Sequence, residues 1–135
     1  MARNLILAIH AGTSVIKVLA FDLDGNEVAT AARPNSYRTG AGGAVDQDMA
    51  QTWRDTVAVL RELTERNAGL AGRAAALAVT GQGDGTWLVD RDGVPVAPAW
   101  LWLDARAAAL VEEKDASGVR RPMYQQTGCG LNACN

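Results

Sequence analysis

LILAIHAGTSVIKVLAFDLDG, residues 5–25, is the stretch on which the fold turns. LILAI, residues 5–9, is an unbroken apolar run of the kind expected for a strand buried on both faces. Beyond the small-residue turn AGTS, VIKVLAFD is rich in β-branched and aromatic residues. DLDG at 22–25 then supplies turn chemistry before NEVATAA begins a third strand. Three strands in meander order are therefore expected, with His10 at the end of the first.

Working outward, residues 33–47 hold Pro34, Gly40, Gly42 and Gly43 without periodicity and read as a loop. Asp48 with Gln51 resembles a capping box. Met49, Trp53, Val57, Leu60 and Leu63 follow at helical spacing until Asn67 and Gly69, so a helix should lay one face on the sheet. AAALAVTG, from 74, reads as a buried strand; TWLVD, a DRDG turn and VPVAPAWLWLD read as a hairpin followed by an extended segment. FDLDGNEV and LVDRDGVPV share an Asp-x-Asp-Gly turn between apolar strands, which is common turn chemistry rather than a repeat. Residues 104–115 read as a helix capped by Asp104, and a polar stretch to Tyr124 precedes TGCGLNACN. This order implies an α/β class with a mixed β-sheet covered by helices, in one domain. The chain stops at Asn135 after a glycine-containing loop, which reads as truncation.

Composition narrows the function. The 135 residues, 48% of them hydrophobic, suit one globular domain, and 13 basic against 15 acidic residues give a net charge of -2. No basic field gathers nucleic acid or anionic lipid, so a small molecule or another protein is the expected partner. Arg3 followed by LILAI makes a poor signal peptide and no membrane span, because His10, Thr13, Ser14 and Lys17 interrupt the run. Cys129 and Cys134, with one distant His, support neither a zinc site nor a disulfide framework and read as free thiols of a cytoplasmic protein.

Three segments can carry chemistry. In AGTS, Gly12 lets a phosphate approach the backbone, Thr13 and Ser14 offer donors, and Lys17 adds charge; a plain β-hairpin turn fits the same residues. In TGQGDGTW, residues 80–87, three glycines leave Gln82 and Asp84 as polar groups at a strand end. That suits a polyol or sugar, and equally a tight turn. In AWLWLDAR, residues 99–106, a tryptophan can stack on the C–H face of a polyol while a carboxylate accepts its hydroxyl hydrogens. The alternative there makes both tryptophans core and Asp104 a helix cap, and for Trp100 the core reading is preferred.

Taken in order, these segments resemble the beginning of the FGGY family of carbohydrate kinases, whose first domain has the actin and hexokinase-like form of the ribonuclease H fold. HAGTSVIK resembles the family's first phosphate motif, normally Asp-x-Gly-Thr-Ser/Thr with a basic residue shortly after. AVDQDMAQTW resembles its Glu-Gln-Asp segment before the first helix, and TGQGDGTWLVD with AWLWLDARA resemble its sugar-site strands. Within the family, TGQGDGTWLVD, AWLWLDARA and TGCGLNAC are most similar to erythritol kinases.

The resemblance implies that Gly12, Thr13 and Ser14 contact the ATP phosphates with support from Lys17. It places Gly83 and Asp84 at the substrate hydroxyls, Trp102 at the stacking position, and Asp104 and Arg106 as organisers of the pocket; Gln82 joins the substrate-binding set from the reading of TGQGDGTW. The implied reaction transfers the γ-phosphoryl group of ATP, with magnesium (Mg2+), to a polyol hydroxyl in a cleft that closes on substrate. The expected partners are a small polyol or sugar and ATP, with no nucleic acid and no membrane; self-association into a homo-oligomer is left open.

By the same resemblance the catalytic base and the adenosine-binding segments lie beyond residue 135, so turnover by this polypeptide alone is not expected. His10 stands where the family has the aspartate that helps hold magnesium. An imidazole nitrogen in place of a carboxylate oxygen should weaken the positioning of metal and ATP. Two other readings remain open at this stage. One is a non-catalytic polyol-binding or regulatory module; the other, ranked last, is a ribonuclease H-like nuclease, which needs a carboxylate cluster for two metals.

Overall fold

A computed structural model describes residues 2–134. The expected meander is present as β1 (Leu5–Ala11), β2 (Val15–Asp22) and β3 (Glu27–Pro34). After it come β4 (Arg38–Thr39), a short 3-10 turn at Ala41–Gly43, β5 (Val45–Gln47), α1 (Met49–Arg66) and α2 (Leu70–Arg73). The chain continues through β6 (Ala74–Gly81), β7 (Ala99–Trp100), α3 (Ala108–Ala116) and α4 (Arg120–Thr127).

These elements form two compact units. One comprises the chain up to Ser36 together with Met49–Gln82; the other comprises Tyr37–Asp48 and the chain from Gly83 onward.

The first unit is a mixed four-stranded sheet of order β3-β2-β1-β6, antiparallel except for the parallel β1–β6 pair. Alternation along β1 sends Leu5, Leu7 and Ile9 to one face, where they pack with Ile16, Val18 and Ala20 of β2 and with Val59 and Leu63 of α1. His10, on the opposite face, is exposed. The buried stripe of α1 runs through Thr56, Val59 and Leu63, while Trp53, expected on that stripe, is 69% exposed. β6 forms where expected but is not buried. It is the edge of the sheet, α1 lies mainly over β2 and β3, and Leu77 and Val79 are exposed.

The second unit is built on a three-stranded antiparallel sheet of order β4-β5-β7, so the stretch 33–47 is not the plain loop its glycines suggest. The expected hairpin at 86–100 is reduced to isolated bridges, Thr86 with Trp100 and Val89 with Pro95. The helix expected over 104–115 begins only at Ala108, and the polar stretch before Tyr124 is helical as α4.

The two Asp-x-Asp-Gly turns, one in each unit, share one hydrogen-bonding scheme. The Asp22 carboxylate accepts the N–H groups of Asp24 and Asn26, and that of Asp90 accepts those of Asp92 and Val94. Gly25 at φ +88° and Gly93 at φ +77° occupy the left-handed position that each turn requires.

Candidate functional site

In the first unit, β1 and β2 are joined by residues 12–14 and the turn is closed by the Gly12 N–H donating to the Val15 carbonyl at 3.0 Å. A Cβ at Gly12 would lie 2.8 Å from His10 Cε1 and 2.9 Å from the Val15 oxygen, so only glycine fits beneath the imidazole. The register pairs His10 with Lys17 across the antiparallel strands and with Thr80 across the parallel ones. Directly opposed residues share a face, with Cβ atoms about 4.5–5.5 Å apart. The ammonium-bearing residue and the imidazole therefore stand side by side next to the turn.

Thr13 Oγ1 donates to Gln82 Oε1 at 3.1 Å, and the Gln82 N–H donates to the Ala11 carbonyl at 3.3 Å. The structure thus brings Gln82, expected on the substrate side, onto the phosphate-type turn. Asn35, which the sequence reading passed over inside a presumed loop, is buried at 5% exposure and holds this turn from behind. Its Nδ2 donates to the Gly12 carbonyl at 2.8 Å, its backbone N–H donates to the Ser14 carbonyl at 2.9 Å, and its Oδ1 accepts from Thr52 Oγ1 at 3.2 Å. The available signal was an asparagine directly after the proline that ends a strand, which does not by itself announce burial.

A turn carrying hydroxyls, an imidazole and an ammonium group is suited to an anion. It is not suited to magnesium, a hard ion that takes oxygen ligands. Position 10 offers nitrogen, opposite a lysine, where such an ion would need oxygen. The residues present do not fit that metal.

In the second unit, Asp104 and Arg106 are locked together. The Asp104 carboxylate, 4% exposed as a residue, accepts from the Val45 N–H at 2.8 Å, the Arg106 N–H at 3.0 Å and Arg106 Nη2 at 2.6 Å. The hydrogen-bonded Arg106 guanidinium outweighs the opposing effect of burial, and with help from the Val45 N–H it holds the Asp104 carboxyl down at about 2. Asp104 therefore does not cap α3, whose N-cap is Ala107 without a side-chain bond; it ties β5 to the segment after β7.

The Arg106 guanidinium also lies 3.9 Å from the centroid of the Trp100 ring, a cation–π contact. Trp100 is half exposed at 47%, contrary to the core position expected for it, because its ring carries the arginine. Trp102 is similarly exposed at 49%, which suits a stacking surface.

Asp84 is exposed and has φ +54°, the one described non-glycine residue in the left-handed region. The following Gly85, at φ +83°, passes so close to the Trp100 carbonyl that a Cβ would lie 2.4 Å from that oxygen. Gly83 is not so constrained. The tight approach of Gly85 presents Asp84 from a fixed, unusual backbone, a feature that recurs at ligand sites.

The sheet topology and the hairpin at its centre belong to the actin and hexokinase-like fold, and solved sugar kinases superpose on it. The xylulose kinase from Rhodospirillum rubrum matches with a TM-score of 0.86 and 26% identity over 96% of this chain and 27% of that one. The Plasmodium falciparum glycerol kinase with ADP shares the fold, with a TM-score of 0.81 at 23% identity over 98% of this chain and 27% of that one. Residues 5–135 match the FGGY family of carbohydrate kinases, N-terminal domain, and the chain belongs to that family. It is 53% identical over 131 residues to the erythritol kinase of Brucella abortus (strain 2308), covering 97% of this chain and 25% of that protein. It is 31% identical over 129 residues to the glycerol kinase of Synechocystis sp. (strain ATCC 27184 / PCC 6803 / Kazusa), covering 95% of this chain and 26% of that protein. The chain thus spans about a quarter of the length of these relatives.

Proposed function

We propose that this chain supplies the phosphate-binding turn and the polyol-binding residues of an ATP-dependent kinase acting on a small polyol, erythritol foremost. The observation that carries the reading is the exposed Trp102 in the segment that also holds the locked Asp104–Arg106–Trp100 group, in a chain 53% identical to an erythritol kinase. Stacking by Trp102 on the C–H face of the substrate and hydroxyl contacts from Gly83 and Asp84 would hold the polyol. Asp104 and Arg106, already bonded to each other, would keep the pocket in shape.

On the nucleotide side, Gly12 admits the phosphates, Ser14 and the backbone N–H of Thr13 would donate to them, and Lys17 balances their charge. Gln82 steadies Thr13. Phosphoryl transfer depends mainly on such positioning and charge stabilisation. Magnesium would supply charge neutralisation to the nucleotide, but the residues of this turn do not fit it. A cytoplasmic setting belongs to the same reading, supported by Cys129 and Cys134, which are thiols rather than a disulfide.

The test is product formation by the intact polypeptide that contains residues 1–135, given ATP, saturating magnesium and erythritol or glycerol. Erythritol phosphate and ADP are expected, with a higher kcat/KM for erythritol. The His10→Asp form, which restores an oxygen ligand, should turn over about tenfold faster. Equal rates would show that position 10 does not govern metal use. Polyol binding with no ATP consumed by either form would favour the non-catalytic module.

A further inference from the structure

Behind the phosphate-type turn the side chain of Asn35 is buried, with the residue 5% exposed. We infer that Asn35 is the positioning residue of that turn, keeping the carbonyl oxygens of Gly12 and Ser14 drawn into the protein so that an incoming phosphate meets donors rather than acceptors. This deepens the kinase reading and, in its catalytic form, rests on it.

The chemistry follows from the bonds. A carbonyl oxygen turned toward a phosphate repels it, and a three-residue turn rich in small side chains has little of its own to prevent that rotation. Asn35 engages two of the carbonyls in this turn, one through its side-chain amide at 2.8 Å and one through its backbone N–H at 2.9 Å. A side-chain amide can be reversed, and here its sense is fixed by the Gly12 carbonyl, which only accepts and so takes Nδ2; Oδ1 is left to accept from Thr52 Oγ1 of α1 at 3.2 Å, which anchors the amide from its other end. With 5% exposure, Asn35 has little water to replace any of these partners, so each bond lost leaves a buried group unsatisfied. The Thr52–Asn35–Gly12 chain also connects the first turns of α1 to the turn, which makes the geometry of the turn a property of the sheet-and-helix unit as a whole.

Three substitutions separate positioning from general support. Asn35→Asp keeps the size and the acceptor for Thr52 but replaces the donor to Gly12 with an oxygen. Thr52→Val keeps shape and removes the hydroxyl that anchors the amide oxygen. Thr52→Ser keeps that hydroxyl. In the intact polypeptide, Asn35→Asp should raise KM for ATP about tenfold while KM for erythritol stays within about twofold. Thr52→Val should move KM for ATP in the same direction by less, and Thr52→Ser should restore it.

An unchanged KM for ATP in a folded Asn35→Asp protein overturns the inference, as does an equal rise in both KM values. If Asn35→Asp does not fold, the Thr52→Val and Thr52→Ser pair decides by the same criterion. Binding of inorganic tripolyphosphate, followed by 31P NMR, separates this inference from the kinase reading. Binding by the native protein that Asn35→Asp weakens, without phosphoryl transfer to any polyol, upholds the role of Asn35 and overturns the kinase reading. Tripolyphosphate binding that Asn35→Asp leaves unchanged, alongside active transfer, does the reverse.

Discussion

Asp104 is a carboxylate whose acceptor sites are occupied by a backbone amide from β5 and by the backbone amide and guanidinium of Arg106. Its acidity is the consequence: the partners favour the charged form, and the carboxyl is held at about 2 against an ordinary 3.8. A folded-state value below the unfolded one contributes stability that is fully present above the unfolded value and disappears as pH falls through the folded one. Between about pH 4 and pH 2 the second unit should therefore lose stability through this group. Asp104→Asn, which cannot bind Arg106 as an ion pair, should start less stable at pH 7 and show a shallower loss across that window. Urea midpoints measured from pH 5 to pH 2.5 check it, and parallel pH profiles for the two proteins would refute the assignment. The sequence revealed that Trp100, Trp102, Asp104 and Arg106 stand together, but not which pairs form. Trp100 looked like core because tryptophan usually is, whereas its ring is committed to Arg106. Asn35 could not be found at all, since burial of a polar side chain depends on what folds over it and leaves no periodic signature.

At the scale of elements, glycines that look alike in the sequence do different work. Gly93 and Gly85 both have φ near +80°, but a Cβ at Gly93 meets nothing within 4 Å, while one at Gly85 meets the Trp100 carbonyl at 2.4 Å and Leu101 and Trp102 backbone atoms at 3.2 Å. Gly93→Ala should cost only the left-handed backbone penalty, about 1–2 kcal/mol. Gly85→Ala should cost that and a further ~1–3 kcal/mol for the overlap, because the obstructing atoms are backbone and cannot swing away. Both positions lie in the second unit, so thermal unfolding of the two variants compares them directly; equal shifts would remove the packing role given to Gly85. The elements themselves were largely legible. Apolar runs and turn residues placed β1, β2, β3, α1 and β6 within a few residues of where they lie. What failed was burial. AAALAVTG has the composition of a central strand and forms one edge of the sheet, and Trp53 has the spacing of a core residue and faces outward. Composition states what a segment tolerates, whereas exposure is set by which neighbours the fold provides. The short strands β4 and β5 escaped for a related reason: two or three residues are too few to show alternation, and β5, the strand that β4 pairs with, takes its other partner from β7, more than fifty residues away in sequence.

Across the whole molecule, the proposed chemistry divides along the same line as the two compact units. The phosphate-type turn, its lysine, Gln82 and the Asn35 support belong to the first; Asp84, Trp102 and the Asp104–Arg106–Trp100 group belong to the second. Each unit has its own sheet, and each site is braced by bonds internal to its unit: Asn35 and Gln82 brace the turn, and Val45 with Arg106 braces Asp104. If these assignments hold, damage to one should register against one substrate. Trp102→Ala removes the ring proposed to stack on the C–H face of the polyol and the apolar area that it would bury there. It should raise KM for the polyol roughly tenfold in the intact polypeptide while leaving KM for ATP within about twofold. Lys17→Ala removes an exposed charge beside His10 and should show the opposite pattern, with the KM for ATP raised and the polyol value retained. Such a pair of variants tests the division more sharply than either alone, since a partial loss of folding would lower the apparent kcat and leave both KM values in place. Should Trp102→Ala disturb ATP, or Lys17→Ala the polyol, as strongly as its own substrate, the assignment of one ligand to each unit would have to be abandoned.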